Sequence, residues 1–554
     1  MTYRPPRAAR RAAGAAAGLG EREDDGGGAA PATGDALSQR TPRARDGSPC
    51  VARPALRWRT LLPSIASGAL IAAPWLDFSL FPLAWVAFVP LLWALSAARS
   101  RREALCIGFA AGLAANGPGF YWLVYTIHVF GGFPYAIALF FYTCLTAFSS
   151  VQFVLFAAGV RALGLGPLGL AAPVLWVALE FLFPNLFLWR VANTQMQVPI
   201  LLQVGDLTGP YGLSFVVLWV NAGIALALAR PRRWGPLLAA AAAAALVAGY
   251  GALRMAQVQR AIDAAPPVAV GIVQGNVGIY EKGTVALFDI NLEKYRQLSA
   301  PLQSTVDVLI WPESVAQWWV PVWEERLVPQ HNPFVGVASF LIFGGLAYDY
   351  PHAGDEPQTF NSAFLIDGTG RVYDRYDKHV LIPFGEYIPG ASLFPELYKF
   401  SPQTSQFTPG TAIQTLDVPG RVRFAPLICY EDVPAGIARA MTAQGAEALL
   451  TIFNDAWFGR SIAPYQHEAI AIWRAIENRR YFVRVGNAGV SGVVDPFGRV
   501  LDRLGLFTAE TLRAEIRPLQ LRTFYTDHGD VFAWGVLCAA VGWLGCVAWT
   551  RRSD

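Results

Sequence analysis

What this chain of 554 residues has little of is charge: Asp, Glu, Lys and Arg make up 15% of it, against 54% hydrophobic residues. An average soluble domain carries about 25% charged residues, so a soluble enzyme of ordinary composition is excluded. The formal net charge of +4 is small for the length and leaves no basic footprint for nucleic acid. Cysteine is scarce as well. The six cysteines, at 50, 106, 144, 429, 538 and 546, show no paired spacing. Cys106, Cys144, Cys538 and Cys546 fall in apolar runs, where cysteine behaves as a small hydrophobe. Cys429 is therefore alone between residues 266 and 525, which excludes a disulfide there and leaves a buried thiol or a nucleophile. The first 58 residues have few large apolar side chains and lack the apolar core of a signal peptide. Such a segment cannot bury enough surface to fold and is expected to be a disordered cytoplasmic arm.

What is abundant is long apolar sequence. Measured against the roughly 20 residues that a helix needs to cross a bilayer, runs at 61–78, 81–95, 104–120, 133–160, 168–187, 211–229, 235–253 and 532–550 predict about eight spans. Residues 59–255 then form a seven-helix transmembrane region, and 532–550 a C-terminal helix. Arginines cluster at 57/59, 99/101/102, 161, 230/232/233 and 551/552. With eight spans and an inward N-terminus, every cluster falls on the cytoplasmic side. The region 266–525 then faces outward, which in a bacterium is the periplasmic face of the inner membrane.

That outward region alternates strands and helices. Apolar runs at 268–273, 306–310, 340–346, 422–428 and 448–453 read as strands, and 465–480 as a helix. Residues 362–366 and 372–376 flank Asp367-Gly368, a strong hairpin signal, and 490–495 and 500–503 form a second hairpin around Pro496-Phe497-Gly498. The order fits two mixed sheets covered by helices, an α-β-β-α sandwich. Three reactive residues each close a strand-like segment: Glu313 in Trp-Pro-Glu-Ser, Lys378 in Tyr-Asp-Lys-His and Cys429 in Ile-Cys-Tyr-Glu. A free thiol has a pKa near 8.5, so attack on a carbonyl needs a base within reach and a cation to steady the thiolate and oxyanion. Glu313 and Lys378 supply these. His379 adjoins Lys378 and is expected on the opposite strand face.

On these residues, with Val-Gln-Gly-Asn at 273–276, LIPFGEYIP at 381–389, NDAWFG at 454–459 and Gln466-His467, the chain from about residue 60 onward resembles the apolipoprotein N-acyltransferases. The resemblance implies a membrane-embedded nitrilase-like sandwich and a Glu313–Lys378–Cys429 triad. Glu386, Tyr430 and Glu431 are implied as supporting residues, and Asn361, Trp457 and Phe458 as pocket residues. It implies transfer of an acyl chain from a membrane phospholipid, through a Cys429 thioester, to a diacylglyceryl-modified apolipoprotein, with no metal or organic cofactor. One departure stands out. Where the family carries an aromatic just past a lysine, this chain reads Tyr280-Glu281-Lys282-Gly283. Apolar segments at 120–134 and 189–211, with Trp122, Phe130 and Trp189, are expected to guide lipid chains or to anchor the interface. A membrane-tethered amidase is the rival enzyme reading, and a non-catalytic scaffold the rival outside enzymes.

Overall fold

The structure is a computed structural model that describes residues 58–553 apart from 186, 283, 329–331, 335–338, 353–355 and 400–403. The expected N-terminal arm, up to residue 57, lies outside the described residues. From Trp58 the chain forms a helical bundle, then two sheets, then one last long helix. Among the described residues, five helical segments are long and apolar enough to cross a membrane: Phe78–Ala97, Tyr135–Leu163, Tyr211–Ala229, Gly235–Ala264 and Val531–Arg551. This is fewer than the eight expected, for reasons visible in the other three. Helix Trp58–Leu76 carries Pro63, Ser64, Ser67 and Gly68, and helix Arg101–Gly119 opens on Arg101, Arg102 and Glu103. Both are 19 residues long but polar or small on the faces they pack together. A Cβ on Gly68 would lie 2.3 Å from the Ala111 carbonyl oxygen, so only glycine lets these helices touch. The third, Ala171–Leu182, has 12 residues, about 18 Å at 1.5 Å per residue, well short of the roughly 30 Å hydrocarbon core.

The strands in chain order are β1 Val268–Gln274, β2 Val308–Ile310, β3 Ala316–Pro321, β4 Phe340–Asp349, β5 Gln358–Ile366, β6 Val372–Asp377, β7 Leu416–Val418, β8 Val422–Ile428, β9 Ala448–Phe453, β10 Phe482–Gly486, β11 Gly492–Val494, β12 Val500–Arg503 and β13 Glu510–Ile516. One sheet runs β13-β1-β2-β4-β5-β6 with β3 also on β4, and the other β12-β11-β10-β9-β8-β7. In each, the central strands are parallel: β1 with β2 and β2 with β4, then β8 with β9 and β9 with β10. Parallel strands covered on both faces need continuous apolar sequence, which Ala-Leu-Leu-Thr-Ile-Phe of β9, buried throughout, supplies. Helix Phe288–Ser299 packs on the first sheet, and helices Ala435–Ala443 and Ala463–Asn478 on the second. The expected sandwich is therefore present, with β5 and β6 paired across Asp367-Gly368 as expected. Strands β3, β7, β10 and β13 go beyond the sequence reading. β13 closes the first sheet by returning antiparallel to β1, Val268 opposite Ile516.

The sheets join at strand ends. The Ser491 hydroxyl donates to Gln274 Oε1 at 2.6 Å, and the Val277 N–H donates to Asn487 Oδ1 at 2.9 Å. Bundle and sheets share one apolar core running from Ile71 to Leu519, with a second core under helix Phe288–Ser299 around Trp311 and Phe343.

Candidate active site

Each sequence-derived reactive residue stands just past the end of a strand. Glu313 follows β2, where buried Trp311 anchors the chain by donating from Nε1 to the Ser299 hydroxyl at 2.9 Å. The turn continues through Ser314 at φ 53°. Gly344 of β4 passes so close that a Cβ there would sit 2.6 Å from Glu313 Cα. Lys378 follows β6, its N–H donating to the Asn361 carbonyl at 2.8 Å and its carbonyl accepting from Gly410 N–H at 2.8 Å. Cys429 follows β8 at φ 53°, a left-handed conformation that costs a non-glycine residue roughly 1–3 kcal/mol unless its surroundings over-determine it. Glu431 is one such constraint. Its Oε1 accepts from Tyr376 Oη at 2.9 Å, His379 N at 2.6 Å and Val380 N at 2.9 Å, and its Oε2 from Ile428 N at 2.8 Å. The elbow carrying the thiol is thereby tied to the segment carrying the amine. His379 turns its ring to the Gly410 carbonyl, Nδ1 to O 2.5 Å.

The amine sits between two carboxylates. Lys378 Nζ lies 2.8 Å from Glu386 Oε2 and 3.6 Å from Glu313 Oε1. Asn361 Nδ2 donates to both, at 2.7 Å to Glu313 Oε1 and 3.0 Å to Glu386 Oε1. Burial works against the Lys378 ammonium, but Glu386, Glu313 and Cys429 outweigh it and hold it above the ordinary lysine range. Burial pushes the Glu313 carboxyl up; Lys378 opposes this and Glu386 adds to it. Burial also pushes the Cys429 thiol well up, with Glu313 adding to the effect and Lys378 opposing it. The resting state is thus a thiol beside a carboxylate of raised basicity and a permanent ammonium, which is what general-base activation of a nucleophile requires.

Several participants were not assigned from the sequence. Lys282 Nζ donates to the Glu313 carbonyl at 2.8 Å; burial, partly offset by Glu313 and Cys429, brings its amine down to about 8. Gly283 and the side chain of Tyr280 lie outside the described residues, and with them the expected replacement of the aromatic. Behind the elbow, Asp432, His467 and Asp455 form a buried chain. The only hint in the sequence is Gln466-His467 shortly after NDAWFG. Tyr430 and Trp457 are half-buried in the short turns Cys429–Asp432 and Asp455–Phe458. Phe458 packs edge-on against Trp122, ring centroids 5.0 Å apart. Trp122 and Trp189 are themselves buried, in an aromatic cluster with Trp75 and Phe120 between bundle and sheets. They are packing residues there, not exposed guides or belt anchors; the Phe130 side chain lies outside the described residues. Among the described residues no group of three His, Cys, Asp or Glu side chains could hold a metal.

Comparison with known proteins agrees with this division of the chain. Residues 67–223 match the family model of the apolipoprotein N-acyltransferase N-terminal domain, and residues 269–525 that of the carbon-nitrogen hydrolases. The apolipoprotein N-acyltransferase of Geobacter metallireducens is 32% identical over 514 residues, covering 89% of this chain and 96% of that protein. That of Azotobacter vinelandii is 32% identical over 512 residues, covering 90% and 96%. Among solved structures, this chain is similar to Saccharomyces cerevisiae Nit3, of the nitrilase superfamily, over 46% of this chain and 90% of that one, at 19% identity and a TM-score of 0.34. On its two family matches and its nearly full-length relatives, the chain belongs to the apolipoprotein N-acyltransferase family.

Proposed function

We propose that this protein is a membrane acyltransferase that moves a fatty acyl chain from a phospholipid, through a thioester on Cys429, to the α-amino group of the N-terminal diacylglyceryl-cysteine of a lipoprotein. The observation that carries the reading is the buried Glu313–Lys378–Glu386 cluster bridged by Asn361, set beside the only thiol between residues 266 and 525.

In the first half-reaction Glu313 takes the Cys429 proton as sulfur attacks the ester carbonyl. Lys378 steadies the oxyanion. The C–O bond breaks, and Glu313 returns the proton to the departing lysophospholipid oxygen. In the second, the acceptor amine attacks the thioester carbonyl, Glu313 takes the amine proton, and the C–S bond breaks to give the amide. The proton then goes back to sulfur. Asn361 spends its amide N–H groups on the two carboxylates, and its Oδ1 has no partner among the described residues; that oxygen accepts from the incoming amine in this reading. Tyr430, Trp457 and Phe458 bound the acyl pocket in this reading, and Glu431 positions the elbow. Purified protein given phospholipid and a diacylglyceryl-cysteine peptide should release one lysophospholipid per peptide acylated. Free fatty acid without acylated peptide would instead identify a hydrolase.

The same reading sets the domains. Residues 59–255 form the transmembrane region with seven crossings, the short helix Ala171–Leu182 among them, and 532–550 the eighth; 266–525 is the catalytic domain on the periplasmic face of the inner membrane. The arginine clusters support this orientation. A reporter active only outside the cytoplasm should be active when fused near residue 410 and silent when fused after Asp554; the reverse pattern refutes the orientation.

A further inference from the structure

Glu431 secures only one side of the Cys429 elbow. On the other side, Asp432 is buried and bonded twice: Oδ1 lies 2.6 Å from His467 Nε2, and Oδ2 accepts from Arg484 Nη1 at 2.6 Å. The second imidazole nitrogen, Nδ1, lies 3.1 Å from Asp455 Oδ1. With a carboxylate on each nitrogen, His467 bridges the nucleophile turn to the turn that follows β9. The residue before it points elsewhere. Gln466 accepts from Trp122 Nε1 at 2.9 Å and donates to the Trp75 and Gly119 carbonyls, both at 3.0 Å. Those three residues lie at the ends of bundle helices Trp58–Leu76 and Arg101–Gly119 and in the segment that follows. Pro464 is the second residue of helix Ala463–Asn478 and suits its first turn, so both side chains project from one rigid helix start.

We propose that Gln466 and His467 are a pair of positioning residues for acyl transfer, His467 fixing the Cys429 elbow through Asp432 and Gln466 locking that position to the ends of the bundle helices. The inference rests on the Cys429 thioester reading above. The charged and titratable groups around His467 are Asp432 on the elbow, Asp455 after β9, Arg484 on β10 and Glu468 on its own helix. Among the described residues, the bundle side chains that line the space beside it, Trp75, Phe120, Trp122 and Phe187, are uncharged. Burial opposes the imidazolium, but Asp432 and Asp455 overcome it and push it up to about 9, so both ring nitrogens carry protons through the neutral range. Loss of that cation leaves Asp432 with Arg484 as its charged partner and takes the imidazolium from Asp455, and Asp455 already acts to raise the Cys429 thiol.

The test uses the full-length protein in phospholipid nanodiscs with two readouts: the rate of thioester formation from phospholipid alone, and the pH midpoint for alkylation of Cys429. His467→Ala should slow thioester formation about 100-fold, with the phospholipid concentration at half-maximal rate changed less than twofold, and should move the alkylation midpoint upward. Gln466→Met should slow it about tenfold and leave the midpoint in place. If His467→Ala does not accumulate, the near-isosteric His467→Gln takes its place, with an intermediate rate and the same direction of shift expected. A wild-type rate with an unmoved midpoint in whichever His467 variant is measured overturns the positioning role, as does a Gln466→Met rate equal to wild type. Absence of a thioester on Cys429 in the unmodified protein is a different failure, that of the underlying function.

Discussion

Helix Gly235–Ala264 of the bundle and helix Ala463–Asn478 of the two-sheet domain invert the usual relation between polarity and burial. The first is apolar, yet of its 30 residues only Ala240, Gly251, Val258 and Ile262 are buried, and Leu238, Leu246 and Leu253 stand exposed. The second carries Gln466, His467, Glu468, Arg474 and Glu477, yet every residue but Tyr465 is buried. Lipid explains the first, because an acyl-chain solvent takes apolar side chains that water would drive inward. Pairing explains the second: Glu477 meets Arg474 at 2.7 Å, His467 meets Asp432 at 2.6 Å, and Glu468 meets Arg503. A buried charge persists only when paired and hydrogen-bonded. The comparison teaches where each region is vulnerable: the two-sheet domain to losing a charge inside, the bundle to gaining one outside.

The largest expected effect is at the thiol. Cys429→Ser should abolish both thioester formation and amide transfer while the protein still inserts and purifies, because Glu313 is a poor base for a hydroxyl. Transfer near the wild-type rate would remove the covalent mechanism. Next comes Glu313→Gln, expected to slow thioester formation by at least ~100-fold, the lower range for a general base; quench-flow with labelled phospholipid measures it. Lys378→Met should cost ~100-fold, as for one oxyanion donor, and should leave Glu313 and Glu386 uncompensated, so a lower melting temperature is expected alongside. Lys282→Met should cost roughly tenfold at pH 7, about 1.4 kcal/mol. Lys282 titrates near 8 and helps the neighbouring thiolate only while charged. The ratio of wild-type to variant rates should therefore be largest below pH 7 and approach one above pH 9. A ratio independent of pH would show that Lys282 acts by packing alone. The smallest effects sharpen the comparison itself. Leu246→Lys should impair insertion by ~2.5–3.5 kcal/mol if this face meets the bilayer centre, read as the fraction of protein reaching the membrane. Leu501→Lys, on an exposed position of β12, should change the melting midpoint by no more than ~0.5 kcal/mol.

Legibility in the sequence followed the same division. Glu313, Lys378 and Cys429 were readable because each ends a strand with a distinctive local pattern, and Asp367-Gly368 announced its hairpin. Long-range pairing was not readable. Nothing local in Glu510–Ile516 says that it closes a sheet with β1. Asp432 and His467 are 35 positions apart, and only the fold brings them together. Hydropathy also did not register that Ala171–Leu182 stops after 12 residues or that Gly68 sits in a helix contact.

The central claim, that Cys429 carries the acyl group, is most directly tested by peptide mass spectrometry of the protein after incubation with a phospholipid of defined chains and no acceptor. The Cys429 peptide should gain the mass of one acyl chain, lose it on treatment with hydroxylamine, and pass it on when a diacylglyceryl-cysteine peptide is added. An unmodified Cys429 peptide in a preparation that still acylates the acceptor would contradict the account.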